Sequence, residues 1–115
     1  MNAQLARLQL RDSGAFVVAE IAGEIDMSNA DDLGRTMSGR LTNDSAGLIV
    51  DLSAVTYLDS AAIHTIYELR ERLTSRALVL RLVVPPDAPT LLALRLTGVP
   101  DAVALFDTVA AAEAG

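Results

Sequence analysis

The run Asp59-Ser60-Ala61-Ala62-Ile63-His64 gathers a carboxylate, a hydroxyl and an imidazole within six residues, directly after an apolar, strand-like stretch. A serine where a buried strand hands over to a helix sits beside free backbone N–H groups, which favour an oxyanion or a phosphate. Ser60 therefore reads either as a helix N-cap or as a phosphoryl acceptor, and the two roles are compatible. His64 follows Ser60 by four residues and shares its helical face. With Asp59 the three residue types match a Ser-His-Asp set. A hydrolase nucleophile elbow, however, needs small residues on both sides of serine in a G-x-S-x-G turn, and Leu58 and Ala62 occupy those places. Hydrolysis is set aside, and His64 reads as an exposed residue of a partner-binding surface. Glu24 with Asp26, and Asp31 with Asp32, read as turn and helix-dipole charges rather than as acid–base pairs. Without a glycine-rich phosphate loop the chain is not expected to bind ATP itself.

Composition narrows the function classes further. The 115 residues fit one domain, 1–115, and a hydrophobic content of 51% argues against disorder. No cysteine is present, which removes disulfides, thiolate catalysis and cysteine-held zinc, and a single histidine makes a histidine-rich metal site improbable. Neither a metal nor a cofactor is expected. The net charge of −6, with all nine basic residues arginines, argues against a nucleic-acid partner. Residues 1–10 lack the apolar core of a secretion signal, and no apolar run approaches the roughly 20 residues of a membrane span. A cytoplasmic protein with no membrane insertion is expected.

The elements that must position Ser60 follow from periodicity. Leu5, Leu8 and Leu10, then Asp12-Ser13-Gly14, then Phe16 to Ala22 predict two antiparallel strands joined by a tight turn. Ser28 is placed as an N-cap, with Asp31 and Asp32 in the first turn and Leu33, Met37 and Leu41 at helical spacing, the helix stopping near Asn43-Asp44. Gly47 to Leu52 reads as a central strand covered on both faces. Ile63, Ile66, Tyr67, Leu69 or Arg70, and Leu73 trace one face of the helix after Ser60. Leu78 to Val84 predicts a strand closed by Pro85-Pro86, and a helix from Asp87 or Pro89 through Leu96 is capped by Gly98. A short strand at 103–106 and a helix at 108–114 follow, with 112–115 expected to fray. Alternation of strands and helices calls for right-handed crossovers in a largely parallel sheet. Loops after parallel strands gather at one edge, which sets Asp26 and Asn29 near Ser60. They serve there as recognition residues or only as turn formers.

Three motifs, Ala22-Gly23-Glu24-Ile25-Asp26-Met27-Ser28-Asn29-Ala30, Val50-Asp51-Leu52-Ser53-Ala54-Val55-Thr56-Tyr57-Leu58-Asp59-Ser60 and Leu96-Thr97-Gly98-Val99, occur in an order and spacing that resembles the STAS domain of bacterial anti-sigma factor antagonists. The resemblance implies a single α/β domain with a mixed central sheet of about five strands and helices mainly on one face. It implies that Ser60 is phosphorylated by a partner that is both serine kinase and anti-sigma factor, that the unphosphorylated form holds this partner and frees a sigma factor, and that a phosphatase reverses the switch. Asp26, Ser28, Asn29, Asp59, Ser60, Ala61, Ala62 and His64 are then the partner-binding residues, with none catalytic. A stressosome-like scaffold or a lipid-transport subunit is the alternative setting for such a module. One departure stands out: the family usually has Ser-Gly or Thr-Gly where this chain has Ala61-Ala62. The second hydroxyl is lost, and a methyl replaces the glycine at which a kinase backbone would approach.

Overall fold

The computed structural model describes residues 5–115, so the reading of 1–10 and of a domain starting at residue 1 lies partly outside the described residues. β1 (Ala6–Ser13) and β2 (Phe16–Ile25) form the expected antiparallel hairpin, with Leu10 opposite Ala19 and Leu8 opposite Ile21. α1 (Ala30–Gly39), β3 (Gly47–Leu58), α2 (Ser60–Ser75) and β4 (Val79–Val83) follow. α3 (Leu91–Leu96), the single turn α4 (Val99–Ala102), β5 (Ala104–Phe106) and α5 (Val109–Ala114) complete the chain. The strand order is β1-β2-β3-β4-β5, antiparallel only between β1 and β2. β3 is central, as its apolar run predicts.

Alternation along the strands sorts side chains to two faces. Val17, Ala19 and Ile21 of β2, Leu48, Val50 and Leu52 of β3, and Leu80 and Leu82 of β4 join one core with Met37 of α1, Ile66, Leu69 and Leu73 of α2, and Leu94 of α3. The opposite face holds Val18, Ile49 and Val83, covered by Ala112 of α5 with Phe16, Phe106 and Val109 around it. Arg81 lies over the Phe16 ring at 4.9 Å and donates to the Ala112 carbonyl at 2.8 Å, which pins α5 to the sheet. The terminus is therefore packed through Ala112, which is fully buried, and the expected fraying of 112–115 is corrected.

Other boundaries shift for identifiable reasons. α1 ends at Gly39 rather than near Asn43-Asp44, and Leu41 reaches the core from beyond the helix. β3 runs six residues past Leu52, because Val55 and Leu58 continue its buried row while β2 adjusts register between Glu20 and Ala22 and between Gly23 and Glu24. Gly23 (φ +105°) makes one of these adjustments possible: a Cβ there would meet the Leu5 carbonyl oxygen at 2.2 Å. The helix expected from Asp87 or Pro89 opens only at Leu91, and Gly98 (φ +79°) ends it in the left-handed conformation that the sequence anticipates.

Candidate functional site

β3 delivers the chain to Asp59, which is extended (φ −111°, ψ −170°) and donates its own N–H to the Ile25 carbonyl at 3.2 Å. Asp59 Oδ1 accepts from the N–H groups of Ala61 and Ala62 at 2.9 and 3.2 Å. The N-cap of α2 is thus Asp59, and the assignment of that role to Ser60 is corrected. An acceptor one residue before the first helical position reaches the second and third amides, whereas Ser60 is itself the first helical residue. Ser60 is exposed, and among the described residues no hydrogen bond holds its Oγ.

The second Asp59 oxygen ties in the loop after β2. Oδ2 accepts from the Met27 N–H at 3.2 Å, joining the two strand-to-helix connections through one carboxylate. Within that loop Asn29 Oδ1 accepts from the Asp26 N–H at 3.0 Å, and Asn29 Nδ2 donates to the Glu24 carbonyl at 3.0 Å. Asp26 Oδ1 accepts from both the N–H and the hydroxyl of Ser28, at 2.8 and 2.5 Å. These bonds favour the ionised carboxylate, and they hold Asp26 below the ordinary carboxylate range, the Ser28 hydroxyl contributing most. Ser28 is not the cap of α1, as the sequence suggests; Asn29 occupies that position, and its side chain is committed to the loop. Asp26, Ser28 and Asn29 are thereby joined to Asp59 and Ser60 in one surface.

The remaining expected residues divide. Ala61 is half-buried, and Ala62 is turned into the core at 3% exposure beside Ile25, Leu58 and Ile66, lining a small apolar void of about 20 Å³. Its methyl is not offered to a partner, so the exchange of glycine for alanine fills the interior rather than thickening the surface. His64 is exposed, and its Nε2 lies 3.4 Å from Glu68 Oε2, one turn further along α2. With His64 on Glu68 and both Asp59 oxygens on backbone amides, a Ser-His-Asp relay is not assembled. Met27, which sequence reading passes over, is 83% exposed on the loop latched to Asp59. Its only sequence signal is a large apolar residue inside a polar Asp-Met-Ser-Asn turn. Among the described residues, no group of three His, Asp or Glu is placed to hold a metal, and no helix is long and apolar enough to cross a membrane.

This topology and motif order define a class. The STAS domain family model matches residues 7–112, and the chain belongs to that family. An anti-sigma factor antagonist from Mycobacterium paratuberculosis is similar in structure, with a TM-score of 0.83 and 26% identity over 95% of this chain and 92% of its own. A sulfate transporter family protein from Wolinella succinogenes shares the fold at a TM-score of 0.75 and 23% identity, over 89% of this chain and 84% of its own. The phosphorylated form of the Bacillus cell fate determinant SpoIIAA does so at 0.67 and 16%, over 94% and 98%. No curated protein matches the chain in sequence.

Proposed function

We propose that this chain is an anti-sigma factor antagonist: unphosphorylated, it binds an anti-sigma factor that is also a serine kinase and so releases a sigma factor, and phosphorylation of Ser60 ends that binding. The observation that carries this reading is an exposed serine at the first residue of α2 whose hydroxyl is held by no hydrogen bond among the described residues. The nearest amides are already taken by Asp59, so a phosphate on Ser60 projects outward instead of being absorbed by the helix end. Its charge of about −1.5 to −2 then lies beside Asp59 and the Asp26 loop. A partner face shaped for two carboxylates meets a third, larger anion there, and the complex is lost through repulsion and steric exclusion. The structural similarity to the Mycobacterium paratuberculosis antagonist supports the same partner class. The partner supplies nucleotide and kinase chemistry, a phosphatase restores the free serine, and the chain contributes Asp26, Ser28, Asn29, Asp59, Ser60, Ala61 and His64 as contact surface in the cytoplasm.

The test is incubation with the co-purified kinase and ATP, followed by mapping of the product by mass spectrometry. One phosphate on Ser60, and none on Ser28, Ser53 or Thr56, is the expected outcome. Phosphate elsewhere, or none with a proven partner, overturns the reading. The likeness to the Wolinella transporter-family protein favours a second setting, a STAS module inside a transport assembly or scaffold. Recovery of a membrane transporter or a large homotypic assembly with the native chain, in place of a kinase, would select it.

A further inference from the structure

A phosphate on Ser60 brings a charge of about −1.5 to −2, and the surface around it holds little to meet that charge. Asp59 already occupies the Ala61 and Ala62 amides, and the two connections that form the surface, residues 24–31 and 57–64, contain no arginine or lysine. They contain one group able to become a cation, the imidazole of His64, exposed one turn along α2 from Ser60. Its present partner is a poor one. Nε2 stands 3.4 Å from Glu68 Oε2 with both side chains open to water, and the acid follows the base by four residues. The favoured order on a helix is the reverse, acid first and base four residues later. Charged groups on the neighbouring elements are engaged elsewhere. Arg35 of α1 pairs with Asp32, and Arg72, which lines the crevice between α1 and α2 with Asp31 and Glu68, reaches the Ser38 hydroxyl at 3.4 Å. α4, with Asp101, meets α2 nearly two turns beyond His64, where Arg70 donates to the Ala102 carbonyl at 2.8 Å. Asp51 of β3 and Arg81 of β4 lie on the far face of the sheet.

We propose that phosphorylation of Ser60 draws His64 off Glu68 and onto the phosphate, making His64 the cationic contact that orients the modified side chain. The inference rests on the reading of Ser60 as the phosphoryl acceptor. Phosphoserine at position i and imidazolium at i+4 stand in the favoured order, and the phosphate carries one and a half to two times the charge of a carboxylate. Their β-carbons lie about 5–6 Å apart, a gap that the phosphate and the ring close between them, and the backward lean of helical side chains carries His64 over the turn of Ser60. The helix dipole opposes a cation only within the first turn, and His64 is the fifth residue of α2. Two changes to the partner surface follow. The imidazole is withdrawn from contact, and Glu68 loses its His64 neighbour, so phosphorylation alters α2 over two turns rather than at one residue. The pair exists while the ring holds its proton and lapses once it is neutral, so the modified surface differs between acidic and alkaline solution.

The experiment uses the full chain with phosphoserine placed at position 60 during translation, so its result is independent of any kinase; whether a kinase marks Ser60 is decided by the phosphate mapping described above. Phosphorus NMR follows the phosphate from about pH 5 to 8, around its second pKa of about 6, with His64 in place and in the His64→Gln and His64→Arg variants. The midpoint should lie about 0.3 unit higher in His64→Gln than with His64 in place, because an adjacent cation favours the dianion. His64→Arg should restore the lower midpoint. The carbon resonance of the Glu68 carboxylate should move on phosphorylation toward its position in the unphosphorylated His64→Gln chain. Three results would each overturn the proposal while leaving Ser60 free to act as a switch: equal midpoints with His64 and in His64→Gln, no lowering in His64→Arg, or a Glu68 resonance that phosphorylation leaves in place.

Discussion

Asp59 does with one carboxylate what two residues could have done separately: one oxygen caps α2 and the other holds the Met27 amide. Asp59→Ala should cost about 1 kcal/mol as a lost cap. Asp59→Asn keeps an acceptor for the cap but has no second one for Met27. Urea unfolding should separate the two variants by most of that amount, while hydrogen exchange at Met27 accelerates in both; an equal stability loss would show that the tether and the cap are inseparable. Ser60, freed of the capping role, should tolerate Ser60→Ala and Ser60→Asp with little change in melting temperature, and Ser60→Asp alone should lose the kinase partner. A Ser60→Asp protein that binds as tightly as the unmodified chain refutes the switch. The third expectation concerns Asp26. Its folded pKa is depressed, so its contribution to stability is present above the unfolded pKa and disappears as pH falls through the folded one. Ser28→Ala removes the main cause and should move the Asp26 titration upward in an NMR pH series; an unmoved midpoint would assign the depression to the backbone. Sequence placed Asp59, Ser60 and the Asp26 loop together because parallel strands send their loops to one edge. It could not choose the cap, since Asp and Ser are both good N-caps and only the backbone angles at Asp59 and the helical start at Ser60 decide.

Element boundaries show why some of the fold was legible and some was not. The hairpin, the central strand and α2 carry strong local periodicity, and each lies where its pattern predicts. The extension of β3 from Leu52 to Leu58 was hidden, because Ser53, Ala54, Thr56 and Tyr57 are exposed and break the apolar run. What sustains the strand is pairing with β2 through two register shifts, a property of two segments together. α1 was overestimated because Leu41 keeps helical spacing yet reaches the core from outside the helix, and spacing alone cannot distinguish the two. Gly23 stands where the hairpin and that long strand are reconciled, with a positive φ and the Leu5 carbonyl in the space a side chain would need. Gly23→Ala should therefore destabilise by about 2–3 kcal/mol and loosen the start of β1, even though the added group is one methyl. Chemical denaturation reads the loss, and a change below about 0.5 kcal/mol would mean that β1 simply moves aside.

At the scale of the molecule the two ends of the parallel strands differ in what covers them. α5 covers the face of the sheet at Val18, Ile49 and Val83, near the starts of β2 and β3, while the Ser60 surface stands past the end of β3. Ile49 and Leu58 are nine residue steps apart along β3, roughly 30 Å at about 3.3 Å per step. Beyond the reach of α5 the same face turns polar, with Glu20, Asp51 and Ser53 lining an open concavity. The sequence reading of β3 as covered on both faces thus holds for Leu48, Ile49 and Val50 and fails from Asp51 onward, a division that depends on the length of the terminal helix. Coverage at one end and the proposed recognition surface at the other predict that damage to the first spares the second. Ala112 of α5 is fully buried against the sheet, and Ala112→Asp forces a carboxylate into an apolar contact, which the helix can escape only by lifting from the sheet. The variant should melt earlier, expose Val18, Ile49 and Val83 and self-associate at high concentration. Below its melting point, though, hydrogen exchange at Met27, Ala61 and Ala62 and affinity for the partner kinase should remain those of the unmodified chain. Loss of protection at those three amides in a still-folded Ala112→Asp protein would show that the two ends are coupled, and the Ser60 surface could then no longer be treated as an independent unit of the fold.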